Sequence, residues 1–184
     1  MINTPPKQKS RFLYHVITLL TGTTIAQAIT IISSPILTRI YTPEDFGHYS
    51  IYLSIFALFA SIATARYAVA IVLPDIELDA VVIVALSILV ALFLSVAMLI
   101  VILIFGKQII ALLGSQDTAR WLYIVPFAVL FDGVNQSLYQ WCNRNRQYKR
   151  IATNTVLQST TTTVVSFGIG YSTLPTNGLI IGSV

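Results

Sequence analysis

Residues 80–105 read AVVIVALSILVALFLSVAMLIVILIF and contain no charged side chain. Because a membrane-spanning helix needs about 20 consecutive, mostly apolar residues, this stretch alone predicts a helix that crosses a bilayer. The whole chain has the same character, since 55% of its residues are hydrophobic and 10% are charged. A typical soluble domain has about 25% charged residues. So few charges cannot cover a water-facing surface, and we expect lipid around most of the chain.

Apolar stretches on both sides of this segment predict about five complete spans in all. The predicted fold class is therefore all-α and integral to a membrane, a polytopic helix bundle that forms one domain over residues 1–184. The final stretch is too short to cross a bilayer. We therefore expect a truncated sixth span in a piece of a longer protein, with a short interfacial tail as the alternative. The spans cover residues 12–40, 46–73, 80–105, 121–141 and 151–171, with a partial one at 178–184.

The connections between the predicted spans carry helix start and stop signals. Thr-Pro-Glu-Asp at residues 42–45 places a capping hydroxyl before a proline at the first helical position, with acids in the first turn. Pro74 is expected to close the second helix, ahead of the acidic loop 75–79. Two further prolines, Pro35 and Pro126, lie inside predicted spans and are expected to kink them.

The basic residues indicate how the chain is oriented. Most of them form two clusters beside apolar stretches, which is how orientation signals are distributed in membrane proteins. With the N-terminus in the cytoplasm of a bacterial inner membrane, both clusters are cytoplasmic, and Arg39, Lys107 and Arg120 lie outside. A nucleic-acid surface would spread basic residues over a solvated face, so we exclude a nucleic-acid partner. The clusters are Lys7, Lys9 and Arg11, and then Arg144, Arg146, Lys149 and Arg150.

The N-terminus has a second interpretation. Its basic residues, the apolar stretch 12–20 and Ala-Gln-Ala at residues 26–28 together have the form of a cleavable secretory signal. Apolar residues continue to residue 40, which favours a retained first span. The mass of the mature chain would decide between the two.

Two ionisable side chains, Arg66 and Asp132, lie within predicted spans. A charge in a span is costly, so it normally faces a water-filled cavity or an opposite charge. Each lies about 12 Å of helix from the same membrane face, so the two could pair between the second and fourth spans. Two other interpretations stay open: an ion pair that only fixes helix packing, and Arg66 extending its head group to the interface.

Polar residues recur at helical spacing on three predicted spans. One such stripe is typical of hydrogen bonding between membrane helices. Three stripes favour a shared polar interior, which suits the hydroxyl groups of a sugar. The stripes are Thr23, Gln27, Thr30 and Ser34; Asp132, Asn135 or Gln136, Tyr139 and Asn143; and Asn154, Gln158, Thr161 or Thr162, and Ser166. The candidate cavity residues are therefore Arg66, Asp132, Gln27, Asn135, Gln136, Tyr139, Asn154 and Gln158.

Signals of an enzyme are weak in this sequence. The alternating acids of the 75–79 loop are typical of a solvated turn, and His15 and His48 have no second ligand at metal-binding spacing. Cys142 is a lone cysteine, which excludes an internal disulfide and a cysteine zinc cluster. We expect no enzymatic activity, no metal and no cofactor.

Several motifs resemble those of a known family. The stretch SPILTRIYTPEDFG at residues 34–47 is similar to the polysaccharide biosynthesis flippases, which act on O-antigen and exopolysaccharide units. Arg66-Tyr67, AIVLP at 70–74 and WCNRNRQYK at 141–149 have the same likeness. These flippases belong to the superfamily of the multidrug-and-toxin-extrusion (MATE) transporters. Many relatives carry an acid at the position of Ala68, so Asp132 is the expected partner of Arg66 here.

The resemblance implies a specific architecture and activity. Members have two pseudo-symmetric bundles of six helices around a central cavity, and this chain would supply the MATE-like N-terminal lobe. They move undecaprenyl-pyrophosphate-linked sugar units to the periplasmic leaflet by alternating access, for O-antigen, capsule or exopolysaccharide synthesis. Arg66 would offset the pyrophosphate charge. The implied partners are the lipid-linked oligosaccharide, membrane lipids, and polysaccharide polymerase and chain-length proteins.

Two alternatives to a flippase remain. In an ion-coupled multidrug-type antiporter of the same superfamily, Asp132 would be a proton or sodium site. An inactive truncated fragment or membrane scaffold would carry no substrate. Neighbouring glycosyltransferase genes would favour the flippase, and reconstitution of the chain would identify an inactive fragment.

Overall fold

The computed structural model describes residues 6–63, 67–113, 122–171, 179–180 and 182. These parts of the chain contain helices and turns but no strand, which confirms the predicted all-helical class. In chain order the elements are α1 Pro6–Ile40, α2 Pro43–Ala63, the short α3 Tyr67–Ala70, α4 Glu77–Leu113, α5 Val125–Arg144 and α6 Tyr148–Gly170.

Three of the described helices are long and apolar enough to cross a membrane, Leu13–Ile40, Pro43–Ala63 and Glu77–Gly106. They overlap the first three predicted spans, and the second ends ten residues earlier than predicted. The fourth and fifth predicted spans correspond to α5 and α6, which have 20 and 23 residues and more polar sequences. The count of five spans and the lobe architecture therefore stay predictions. Most of the predicted sixth stretch lies outside the described residues.

The turn between α1 and α2 is closed by a reciprocal pair of caps. The Asp45 carboxylate accepts hydrogen bonds from the backbone N–H and the hydroxyl of Thr42, at 2.9 and 2.8 Å. In return, the Asp45 backbone N–H donates to the Thr42 hydroxyl at 3.3 Å. Pro43 is the first residue of α2, where its missing N–H removes no helical bond. The predicted capping signal is therefore confirmed, with Asp45 as the reciprocal acid.

The end of the predicted second span is less regular than the sequence suggested. The helix α2 ends at Ala63, and α3 is followed by a tight turn up to Pro74. In this turn the N–H groups of Ile71, Val72 and Leu73 bond carbonyls three residues earlier. Proline disfavours the α conformation in the residue before it, which explains why the chain tightens and then leaves the helix. Pro74 was predicted to close the second helix, but α2 ends at Ala63, and Pro74 instead lies four residues after the end of α3.

The two prolines inside predicted spans behave differently. The helix α1 continues past Pro35 to Ile40. Pro126 is in the first turn of α5, directly after a turn at residues 123–124, so the predicted fourth span is interrupted beside this proline. A first-turn N–H has no intrahelical acceptor, and a proline there begins a helix without loss.

Buried hydroxyl groups join α4 to α5. The Ser87 and Ser137 hydroxyls lie 2.8 Å apart, and the Ser95 hydroxyl donates to the Pro126 carbonyl at 2.7 Å. The earlier residue of α4 pairs with the later residue of α5, so these helices are antiparallel. Hydrogen bonds between small polar residues are a common means of holding membrane helices together. The adjoining apolar core includes Tyr52, Met98, Ile102, Val125, Val129 and Ile180.

The helices α1 and α6 run parallel and touch closely. At Gly22, an added Cβ would lie 2.5 Å from the Cβ of Ala152, so the two backbones approach as only glycine allows. Farther along, the Ser33 hydroxyl donates to the Thr163 hydroxyl at 3.5 Å. At the far end, the Tyr41 hydroxyl donates to the Ser166 carbonyl at 2.6 Å. This parallel packing is expected if the three predicted spans between the first and the fifth each cross the membrane once.

The many threonines of α1 and α6 bond to their own helices. The hydroxyls of Thr18, Thr21, Thr153 and Thr160 each donate to the carbonyl four residues earlier, at 2.8–2.9 Å. Such bonds remove the cost of an unpaired hydroxyl in an apolar solvent. Large apolar side chains such as Phe93 are exposed along α4, as lipid contact requires.

Candidate functional site

A groove between α5 and α6 brings three of the predicted site residues together. We call it the α5–α6 groove; its volume is about 510 Å³. Pockets of this size are typical of small-molecule sites. Its walls include Asn135 and Tyr139 from α5 and Asn154 from α6. The complete lining is Asn135, Leu138, Tyr139, Cys142, Lys149, Arg150, Ile151, Thr153, Asn154 and Leu157.

The two asparagines face each other across this groove. The side-chain N–H of Asn154 donates to the side-chain oxygen of Asn135, with the atoms 3.4 Å apart. An amide has two N–H donors and an oxygen with two lone pairs, so this single bond uses a small part of what the pair offers. The remaining groups can donate to and accept from a hydroxylated ligand.

Two cations, Lys149 and Arg150, line the same groove in the first turn of α6. Sequence reasoning counted them as orientation signals and missed this position. The signal was present, because Lys149 and Arg150 each lie four residues before a groove residue, Thr153 and Asn154, on the same helix face. The Arg150 guanidinium also donates to the side-chain oxygen of Gln147 at 3.0 Å.

The turn between α5 and α6 determines where these cations lie. Arg146 has φ of 55°, the left-handed conformation that ends many helices. The N–H of Arg146 bonds the Asn143 carbonyl at 3.0 Å, and the N–H of Gln147 bonds the Cys142 carbonyl at 2.9 Å. This is the Schellman pattern, and it reverses the chain within a few residues. The first turn of α6 is thereby placed beside the last turns of α5.

A second polar cavity lies between α1, α2 and α6 and has a volume of about 370 Å³. Here the predicted stripe on α1 meets the later part of the stripe on α6. The lining is rich in hydroxyl groups, and its polar members are Thr30, Ser33, Ser34, Tyr49, Gln158, Ser159, Thr162, Thr163 and Ser166.

The predicted shared interior is therefore divided between two spaces. Asn154 lines the α5–α6 groove, whereas Gln158, Thr162 and Ser166 line the cavity beside α1. Residues four apart on a helix are offset by about 40°, so this stripe rotates by about 120° from its first member to its last. The polar stripe of α6 consequently winds from the α5 side to the α1 side.

The remaining candidate residues lie apart from these two spaces or outside the described residues. Gln27 on α1 and Gln136 on α5 are exposed, and neither lines the groove or the hydroxyl cavity. Asp132 is half-buried on α5, and the structure gives it no hydrogen-bond or ion-pair partner among the residues it describes. Arg66 lies outside those residues, so its pairing with Asp132 stays a prediction.

Arg144, from the second basic cluster, ties the end of α5 to the connection between α3 and α4. Its guanidinium donates to the carbonyl of Ile71 at 3.1 Å and to that of Ile76 at 3.5 Å. Beside it, an open basin of about 640 Å³ is lined by acids Asp75 and Glu77 and by Arg146. The acidic loop and the basic loop therefore lie at one end of the bundle. Either orientation in a membrane would place them together, so the predicted orientation stays a prediction.

Comparison with known proteins adds a family to this geometry. The sequence profile of a family described as polysaccharide biosynthesis protein matches residues 36–184. No curated protein and no solved structure matches this chain. The matched range includes the capped turn before α2 and both walls of the α5–α6 groove. Because the match covers well over half of the sequence, the chain belongs to the polysaccharide biosynthesis protein family.

Proposed function

We propose that this chain acts in a flippase that moves undecaprenyl-pyrophosphate-linked sugar units across the bacterial inner membrane. The product would serve O-antigen, capsule or exopolysaccharide synthesis, and the protein would act as a transporter, not an enzyme. Membership of the family and the apolar helices support this proposal. The observation that carries it is the α5–α6 groove, where amide side chains and cations line one space.

The chemistry of the groove fits a ligand with hydroxyls and a diphosphate. Sugar hydroxyls both donate and accept, as do the amides of Asn135 and Asn154. The ammonium of Lys149 and the guanidinium of Arg150 are the groups that proteins use to bind phosphate. Hydrogen bonds to charged groups are the stronger ones, so the cations would supply affinity and the amides would orient the sugar.

The direction of transport follows from the predicted orientation. Lys149 and Arg150 belong to the cluster predicted to be cytoplasmic, so a substrate would first meet these cations from the cytoplasmic leaflet. Alternating access between two helix bundles would then expose the groove to the opposite side. Polysaccharide polymerase and chain-length proteins are the proposed users of the delivered product.

An ion-coupled antiporter is the second candidate, and Asp132 is the observation that favours it. A half-buried carboxylate in a predicted span is a typical proton or cation site. In that case Asp132→Asn would abolish transport, because an amide cannot carry the proton. A flippase that uses the α5–α6 groove would keep much of its activity, and surface polysaccharide measured after this substitution distinguishes the two.

The experiment for the flippase uses Asn154→Leu in a strain whose surface polysaccharide depends on this gene. Leucine keeps the helix and removes the amide, and loss of one substrate hydrogen bond corresponds to about a fivefold loss of transport. Surface polysaccharide should fall, and its lipid-linked precursor should accumulate. Thr160→Val is the control, since Thr160 is exposed on the same helix and bonds its own backbone. Equal polysaccharide in both variants, at equal expression, would reject a role for the groove.

A further inference from the structure

A second groove follows the opposite flank of α6, between α6 and α1. We call it the α1–α6 groove; its volume is about 480 Å³. Its walls are mainly apolar, with Ile17 and Ile25 on α1 and Val156 and Leu157 on α6. Lys149 is the one charged residue among the described residues that line it.

The two grooves meet along one ridge of α6. Lys149, Thr153 and Leu157 line both of them, and these residues are four apart, so they form a single row along the helix. Lys149 therefore lies where the groove that contains the two asparagines and Arg150 joins the groove lined mainly by aliphatic side chains. A ligand whose negative charge contacts Lys149 could extend to one side into amides and to the other side into aliphatic side chains.

We propose that the α1–α6 groove holds the polyprenyl chain of the lipid carrier while Lys149 binds its diphosphate. The sugar would then occupy the α5–α6 groove, and this inference rests on the proposed function. The inference assigns a separate part of the protein to each part of an amphipathic substrate. The ligand has an apolar chain, then a diphosphate, then a sugar. The protein presents the α1–α6 groove, Lys149 and the α5–α6 groove in the same order.

The combination of the α1–α6 groove with the α5–α6 groove favours a polyprenyl diphosphate sugar over a phospholipid. Gly22 and Ala152 both line the α1–α6 groove, and the absence of a side chain at Gly22 lets the two helices touch there. A phospholipid has two acyl chains, and its small head group would leave the α5–α6 groove empty. A polyprenyl diphosphate sugar has one chain and a head large enough for that groove.

The test is photolabelling of the purified full chain, followed by mapping of the labelled peptides. The probe is a polyprenyl diphosphate with a benzophenone on the chain, and the comparison is phosphatidylglycerol with the same group on an acyl chain. We expect the polyprenyl probe to label residues 17–25 and 156–157 about tenfold more than the phospholipid does. Equal labelling by both probes, or labelling elsewhere, would overturn the inference.

Two pairs of variants make the location specific. Lys149→Ala should lower labelling by the polyprenyl probe about tenfold, because a charge-assisted bond is lost, whereas Lys149→Arg should retain it. Ile17→Trp should fill the α1–α6 groove and lower labelling, and Leu20→Trp is its matched control. Ile17 and Leu20 are both 59% exposed on α1, but Leu20 lines neither groove. Equal labelling of the two tryptophan variants would refute the assignment.

A separate measurement distinguishes failure of the inference from failure of the proposed function. Deletion of the gene should abolish surface polysaccharide, and that result does not involve labelling. Normal polysaccharide after deletion would reject the proposed function, and the inference with it. Lost polysaccharide together with equal labelling of Ile17→Trp and Leu20→Trp would reject the inference alone.

Discussion

Tyr41 connects the capped turn between α1 and α2 to α6 through one buried hydroxyl. The residue is 3% exposed, its ring packs edge-on against Phe46, and its hydroxyl donates to the Ser166 carbonyl. Tyr41→Phe should lower the free energy of unfolding by about 1 kcal/mol, the usual contribution of such a bond. Thermal unfolding in detergent measures this difference. Tyr171→Phe is the control, because Tyr171 is exposed, and an equal effect of both changes would contradict the prediction.

The stabilisation by Tyr41 should also depend on pH. Burial, and secondly the nearby Asp45 carboxylate, raise the pKa of Tyr41 above its ordinary value of 10.0. The folded state therefore favours the protonated phenol more than the unfolded state does. The contribution is fully present below the unfolded pKa of 10.0 and is lost as the pH rises through the higher folded pKa. The stability difference between wild type and Tyr41→Phe should thus be constant at neutral pH and shrink in strongly alkaline buffer.

Single residues also mark where sequence reasoning succeeded and where it failed. The cap formed by Thr42 and Asp45 was predictable, because it depends on neighbours three residues apart. The groove position of Lys149 was missed. In sequence, a basic residue near the end of a span looks the same whether it sets the orientation of the chain or lines a binding groove. Only the chain reversal at Arg146 shows that Lys149 is brought beside α5.

At the level of elements, the contact between α1 and α6 depends on Gly22. An added Cβ would meet the Ala152 Cβ at 2.5 Å and its Cα at 2.8 Å, so the helices would have to separate. Gly22→Leu should therefore destabilise the fold by about 1–3 kcal/mol, the usual cost of overpacking. Gly168→Leu is the matched control on α6, since nothing lies within 4 Å of an added Cβ there. Thermal unfolding would contradict the prediction if both variants were equally stable.

The extent of each helix was largely readable from the sequence, while its irregular ends were not. Apolar length and Pro43 placed most helix ends within a few residues, but the second span was predicted to reach residue 73 and α2 ends at Ala63. The fourth span was predicted to begin at residue 121, whereas α5 begins at Val125, beside Pro126. Pro74 similarly indicated an interruption near the end of the second span. The hydrogen bonds of the turn at residues 71–73 could not be predicted from it.

For the whole molecule, the sequence predicted one polar interior, and the structure divides it along α6. Helical spacing correctly placed polar residues in stripes, but it does not say which neighbour each part of a winding stripe meets. That depends on the parallel packing of α1 and α6 and the antiparallel packing of α4 and α5, which are long-range contacts. The expected Arg66–Asp132 pair stays a prediction, because Arg66 lies outside the described residues.

Arg144 has a mechanical consequence at this scale. Its two bonds reach the carbonyls of Ile71 and Ile76, on either side of Pro74. Any movement of the end of α5 away from the beginning of α4 would therefore have to break these two bonds. If the chain changes shape as the proposed function requires, bending would have to take place nearer the opposite end of the bundle.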